Sequence, residues 1–188
     1  ASQESQASIR QKLGIAPNKK TVLLTSGGAG GGKVTEFVEA IEAQRPDWQL
    51  LVVTGNNRNV FDLLKNRERT RPSTHVFGFV HNMERLMVAA DVVATKAGPG
   101  TIMEARALQR PLAVTGAVGL QETGNIDYVS KNSFGLYAPD AVSLIKALDL
   151  LSSTQTTPAP NSREAVDGAS RIAEVILEKM QWARDLPA

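Results

Sequence analysis

The 188-residue sequence predicts an α/β domain, a three-layer doubly wound parallel sheet of about six strands. Three observations carry that expectation. From Thr21 onward short β-branched runs alternate with amphipathic stretches of helical length. Several of the runs are apolar nearly throughout, as strands covered on both faces are. And each pair of successive runs is separated by room for one helix, which implies parallel strands joined by right-handed crossovers.

The predicted strands are Thr21–Ser26 (TVLLTS), Gln49–Thr54 (QLLVVT), Thr74–Phe79 (THVFGF), Asp91–Thr95 (DVVAT), Pro111–Thr115 (PLAVT) and Phe134–Tyr137 (FGLY). Helical patterns fall between and after them, at about 34–45, 57–66, 82–90, 100–109, 122–132 and 140–151. In the first of these Val34, Phe37, Val38 and Ile41 have the spacing of one helix face. The Ser/Thr/Pro stretch 152–162 buries little and reads as a connector between a folded domain over 1–151 and a C-terminal helix within 163–188. That helix carries Ile172, Val175, Ile176 and Met180 on one stripe, so it is expected to pack on the domain flank or on a missing neighbour. The chain starts without Met, which suggests a piece of something longer.

Composition excludes several classes. With no cysteine the chain is neither a disulfide scaffold nor a Cys-ligated metal protein, and two histidines, His75 and His81, argue against a multi-His metal site. A net charge of +2 is too weak to indicate nucleic acid. No run approaches the roughly 20 apolar residues of a membrane span, and the N-terminus lacks a signal pattern. The basic run Lys65–Arg71 (KNRERTR) is expected in a helix-to-strand loop, either simply solvated or touching anionic lipid headgroups.

The chemistry concentrates in three segments that each follow a strand. The first is Ser26-Gly27-Gly28-Ala29-Gly30-Gly31-Gly32-Lys33, a glycine loop opening a helix. Glycines let a backbone approach a ligand, and the helix start offers free N–H groups to an anion. It matches the P-loop pattern up to Lys33 and then fails, because Val34 stands where a magnesium-binding hydroxyl belongs. It also fails the dinucleotide fingerprint, with Ala29 or Lys33 at required glycines and no acidic residue after the second strand. A phosphate site and a tight ligand-free turn both remain open for this loop.

The second segment is Lys96-Ala97-Gly98-Pro99-Gly100-Thr101-Ile102-Met103-Glu104-Ala105. Gly98 and Gly100 clear the turn, Pro99 presets the helical φ, Thr101 brings a hydroxyl to the first turn, and Glu104 follows one turn later, within reach of a vicinal diol such as ribose. Together these describe a pocket for a nucleotide diphosphate with no dedicated metal; a plain capping interaction of Thr101 and Glu104 is the alternative. The third segment, Gly119-Leu120-Gln121-Glu122-Thr123-Gly124-Asn125, gathers donors and acceptors at a helix entrance. Sugar hydroxyls need that mixture, although an ordinary polar helix start would look the same. In a doubly wound sheet the strand C-terminal ends share one edge, so the three segments should converge.

At SGGAGGGK (26–33), GFVHNMERLMVAADVVATKAGPGTIMEA (78–105) and GLQETGNIDYV (119–129) the sequence resembles the Rossmann-like donor-binding half of GT-B glycosyltransferases. It is most similar to the monogalactosyldiacylglycerol synthase and diacylglycerol glucosyltransferase group, and related to the peptidoglycan N-acetylglucosaminyl transferases. The resemblance implies a UDP-galactose or UDP-glucose donor, a lipid acceptor such as diacylglycerol, an inverting reaction with no metal or other cofactor, and a cytoplasmic, peripheral membrane enzyme. By the same resemblance Gly27, Gly28, Ala29, Gly30 and Gly31 face the diphosphate with Gly98, Pro99, Gly100 and Thr101. Val80 meets uracil through its backbone, Glu104 the ribose, and Gln121, Glu122 and Asn125 the hexose. The group often has Gly before the Pro of Pro111, where this chain has Arg110. The general base belongs to the N-terminal half in such enzymes, so the 188 residues alone are expected to bind donor without transferring sugar. A GT-B sugar-nucleotide epimerase and a non-catalytic UDP-sugar-binding module are the competing readings.

Overall fold

A computed structural model describes residues 4–25, 33–153 and 168–184. The chain divides into two units, Ala1–Thr156 and Thr157–Ala188. Along the first run α1 (Gln6–Leu13), β1 (Thr21–Thr25), α2 (Val34–Gln44), β2 (Gln49–Val53), α3 (Arg58–Glu68), β3 (Thr74–Phe77), α4 (Met83–Ala89), β4 (Val92–Lys96), α5 (Pro99–Ala107), β5 (Leu112–Gly116), a 3-10 turn (Leu120–Glu122), α6 (Thr123–Lys131), β6 (Gly135–Tyr137) and α7 (Ala141–Ser153). The second unit contains α8 (Gly168–Arg184).

The six strands form one sheet in the order β3-β2-β1-β4-β5-β6, with every adjacent pair parallel. The order reverses between β1 and β4, where Val22 pairs with Val92 and Thr25 with Thr95. Alternate strand residues feed two cores. Val22, Leu24, Leu50, Val52 and Val92 pack with Phe37, Ile41 and Leu148 on the α2–α3–α7 side. Leu23, Leu51, Val53, Val93 and Leu112 pack with Ile9, Met87 and Ile102 on the α1–α4–α5–α6 side. Leu23 and Leu51 are fully buried, and burying a side chain of this size contributes about 1.5–3 kcal/mol.

All six strands and the helices between them stand where the periodicity puts them, with ends moved by a residue or two. β3 stops at Phe77 rather than Phe79, and α3 continues to Glu68. Lys65–Arg71 is accordingly not a loop throughout: its first four residues are the end of α3. There Lys65 pairs with Glu68 at 2.5 Å and Arg67 with Glu42 at 2.7 Å and Glu39 at 3.1 Å. The connector at 152–162 begins two residues late, since Ser152 and Ser153 close α7, and its remainder lies outside the described residues.

Helix α1 was not foreseen from its pattern. Its sequence, QASIRQKL, is polar apart from Ile9 and Leu13, and it is held by side chains rather than an apolar stripe. Ser5 caps it. Arg10, only 5% exposed, makes a paired contact with both Asp91 oxygens at 3.0 Å, and donates to Ala89 O at 2.8 Å and Pro17 O at 2.7 Å. Asp91 also accepts from the Thr21 N–H at 2.8 Å and from Gln6 Nε2 at 3.3 Å. One guanidinium and one carboxylate thus tie α1, the entry to β1 and the α4–β4 turn together.

Candidate functional site

The loops at the C-terminal edge differ in how their helices begin. An α-helix leaves its first N–H groups without intrahelical partners, and a side-chain cap usually takes one of them. After β2 and β6 that rule holds: Asn57 accepts from Val60 N at 3.1 Å to start α3, and Asp140 from Ser143 N at 2.9 Å to start α7. Helices α4 and α6, after β3 and β5, start without such a cap, and at the reversal point two such starts follow neighbouring strands. Neither α2, after β1, nor α5, after β4, has a side-chain cap hydrogen bond. Gly98 is the N-cap of α5 and Pro99 its first residue, so the N–H groups of Gly100 and Thr101 open the helix facing no cap. The capping alternative for Thr101 and Glu104 therefore does not describe this turn. Two helix mouths, each bearing about half a positive charge, follow adjacent strands at one edge of the sheet.

Residues 26–32 lie outside the described residues, and with them the proposed ligands Gly27, Gly28, Ala29, Gly30 and Gly31. The strand that delivers them ends at Thr25 beside Thr95, and the helix that receives them starts at Val34.

Around the α5 mouth the structure brings together three residues from the motifs and one that had no assigned role. The register between β4 and β5 shifts so that Thr95 pairs with Val114 but Lys96 with Gly116. Such a bulge re-aims the side chain beside it. Lys96 reaches Glu122 Oε1 at 2.5 Å, and Glu122 Oε2 accepts from Val118 N at 2.8 Å. Burial raises the pKa of Glu122, but the Lys96 hydrogen bond, the Val118 N–H and the Lys96 charge outweigh it and leave the group below the ordinary carboxylate value. Asn125 Nδ2 donates to Ala97 O at 2.8 Å, joining α6 to the same turn. Gly119, at φ 60° and ψ −173°, sits in backbone space open essentially to glycine alone. A Cβ on Gly98 would stand 3.3 Å from Lys96 Nζ.

The remaining assigned residues are more dispersed. Gln121 is exposed on the 3-10 turn and Glu104 is exposed on α5, three residues after half-buried Thr101. Val80 lies on the β3–α4 connection, two strands from β1; its side chain packs on the second core. Phe79 and His81 flank it with rings 5.1 Å apart, edge to face. Glu122 and Asn125 are thus occupied by internal partners, whereas the exposed Gln121 and Glu104 have no such side-chain bond among the described residues. Lys96 stands within the second motif but has no role that the sequence pattern assigns. A lysine closing an otherwise apolar strand just before a glycine-rich helix start was the available signal. Among the described residues no group of three or more His, Asp or Glu could hold a metal ion, and no helix is long and apolar enough to cross a membrane.

Sheet order and the paired loops at its reversal define a Rossmann-like domain of the GT-B kind. The glycosyltransferase family 28 C-terminal domain matches residues 21–176, and the chain belongs to that family. It is 34% identical over 148 residues to monogalactosyldiacylglycerol synthase 1, chloroplastic, of Arabidopsis thaliana, covering 74% of this chain and 28% of that protein. Among solved structures it resembles Anabaena Alr3699/HepE in complex with UDP and glucose, with TM-score 0.66 and 18% identity over 96% of this chain and 52% of that one. It also resembles UDP-GlcNAc 2-epimerase from Neisseria meningitidis bound to UDP-GlcNAc, with TM-score 0.65 and 15% identity over 90% of this chain and 48% of that one. The chain spans under a third of the synthase and about half of each structure.

Proposed function

We propose that this domain is the donor-binding half of an inverting, metal-independent glycosyltransferase that moves galactose or glucose from a UDP-sugar to a lipid such as diacylglycerol. The observation that carries the reading is the pair of uncapped helix starts after β1 and β4. A diphosphate between them would meet two positive dipole ends. Lys96 adds an ammonium beside Gly98, the N-cap of α5. A cation at a helix N-terminus is unfavourable on its own; Glu122 offsets part of that charge, and a bound diphosphate would complete the balance. As UDP departs, negative charge grows on the diphosphate, and fixed donors stabilise it without reorganising.

In this reading Glu104 receives the ribose hydroxyls and the Val80 backbone lies against uracil. Gln121 touches the hexose, while Glu122 and Asn125 hold the turn that presents it. The acceptor hydroxyl needs a general base, supplied by an N-terminal half, so the 188 residues bind donor and do not turn it over. Lipid transfer, rather than epimerisation, is supported by 34% identity to a galactolipid synthase against 15% to the epimerase. The whole enzyme would then work at the cytoplasmic face of a membrane as a peripheral protein.

Calorimetric titration of the 188-residue chain with UDP, UDP-galactose and UDP-glucose tests this. All three should bind; Glu104→Ala should weaken all three about tenfold, a loss of ~1.4 kcal/mol, and Gln121→Ala should weaken the two UDP-sugars but not UDP. Absence of UDP binding, or a Glu104→Ala variant indistinguishable from the parent, would overturn the assignment.

A further inference from the structure

We propose a second anion site, for a phosphate monoester, in the cleft at the opposite edge of the sheet. This cleft has a volume of about 500 Å³ and is lined by Arg10, Lys19, Lys20, Asp91, Arg110 and Ser152 among others. Lys19 and Lys20 precede β1, Asp91 precedes β4 and Arg110 precedes β5, while Arg10 comes from α1 and Ser152 from the last turn of α7. A five-residue strand separates that edge from the donor loops, roughly 17 Å at about 3.3 Å per residue, so the two sites do not overlap.

The charge in the cleft does not close on itself. Arg10 and Asp91 satisfy each other through their paired contact, and Asp91 is further occupied by Thr21 N and Gln6 Nε2. That leaves Lys19, Lys20 and Arg110, none of which forms an ion pair with a described carboxylate; they bond Ser73 Oγ, Ser152 O and Oγ, and Ala90 O, and Lys20 also lies over the Trp48 ring at 5.5 Å and feels Asp149 at longer range. The Ala90 carbonyl belongs to the end of α4, and a helix end supplies about half a negative charge, too little to balance three cations. Arg110 completes the set. It is half-buried, donates one Nη to Ala90 O, and keeps a buried Nε with no partner among the described residues. That Nε is closed to the cleft, so the terminal Nη groups are what a ligand would meet; burial lowers the pKa of the guanidinium, only partly opposed by the nearby Asp91, and an arriving anion would relieve that cost.

The geometry favours a dianion over a carboxylate. A planar guanidinium can bind two phosphate oxygens side by side, and two mobile ammonium groups can take the rest. The phosphate could come from a soluble phosphorylated metabolite or from a lipid headgroup. The backbone of the α5–β5 turn does not oblige residue 110 to be an arginine: the left-handed residue is Gln109, at φ 56°, and Arg110 contributes only its N–H, donated to Ala105 O at 2.8 Å. An Arg110→Gly chain should therefore keep the fold.

The test is NMR titration of the 188-residue chain with inorganic phosphate and with glycerol 3-phosphate, alongside sedimentation with phosphatidylcholine vesicles with and without a phosphomonoester-headgroup lipid. We expect saturable shifts at Lys20, Asp91 and Arg110 that UDP does not displace, and at least a tenfold loss in Arg110→Gly and in the surface variant Lys19→Met/Lys20→Met. Binding of the soluble anions places the ligand in solution; binding of the doped vesicles alone places it on a membrane, and either supports the site. No binding of either probe, binding that survives both variants, or displacement by UDP would overturn it.

Discussion

The two edges of this sheet are built by opposite means. At the N-terminal edge side chains do the joining: Arg10 spans α1, the 17–19 loop and β4, and Gln49 ties Ala16 to Thr21. At the C-terminal edge, around the β1–β4 reversal, more of the backbone is left open: uncapped helix starts, Gly98 and Gly119, with side-chain locks only from Lys96 to Glu122 and from Asn125 to Ala97 O among the described residues. The first edge uses most of its polar groups to hold the fold, with Arg110 Nε the exception. The second leaves donors unpaired, which costs stability and is useful only if something else takes them up.

Four substitutions would break or sharpen that contrast. Arg10→Met leaves Asp91 without its partner and should cost about 3 kcal/mol or more by urea denaturation, with UDP affinity unchanged in the folded fraction. Lys96→Met strands Glu122 at 10% side-chain exposure and should cost ~1.5–3 kcal/mol. Its pH signature has a definite sign. The folded pKa of Glu122 lies below the ordinary carboxylate value, so its contribution is complete above that ordinary value and disappears as pH falls through the folded pKa. Without Lys96, burial dominates and this acid-side loss should vanish or reverse, which unfolding free energies measured from pH 3 to 7 would reveal.

Gly98→Ala should change stability by less than about 1 kcal/mol, since φ −69° suits any residue. It should nonetheless weaken UDP binding about tenfold, because the new Cβ crowds the Lys96 ammonium. Equal losses of stability and affinity would show this edge to be structural after all. The smallest effect belongs to the far edge. Gln109 occupies the left-handed position after α5 that Gly14 occupies after α1, and Gln109→Gly should raise stability by about 0.5–1 kcal/mol in thermal unfolding.

The layered fold was legible because its information is local. TVLLT and QLLVV could be little but doubly covered strands, and the amphipathic stretch after Lys33 could be little but a helix. Helix α1 was not, since its stability comes from Arg10 meeting Asp91 across 81 positions. The site was legible by segment and not by role. Gly98–Thr101 and Gln121–Asn125 were recognised, yet the pairing of Lys96 with Glu122 depends on a one-residue slip between β4 and β5 that no local pattern announces. Nor does the sequence mark Gln109 or Ser133 as left-handed, both of which close helices with a residue that lacks glycine's freedom.

The reversal of strand order also sets a timetable. β1 must wait for β4, whose residues are made some seventy positions later. While a ribosome has delivered only β1, β2 and β3, the apolar rim of β1 has no neighbour on one side, and an unpaired rim of that kind invites association with other chains. Arrival of β4 covers this rim, leaves its own far edge open until β5 at 112–116 is made, and in the same event brings the ends of β1 and β4 side by side. On the proposed function, nascent chains should first be retained on immobilised UDP once residues 92–101 have emerged.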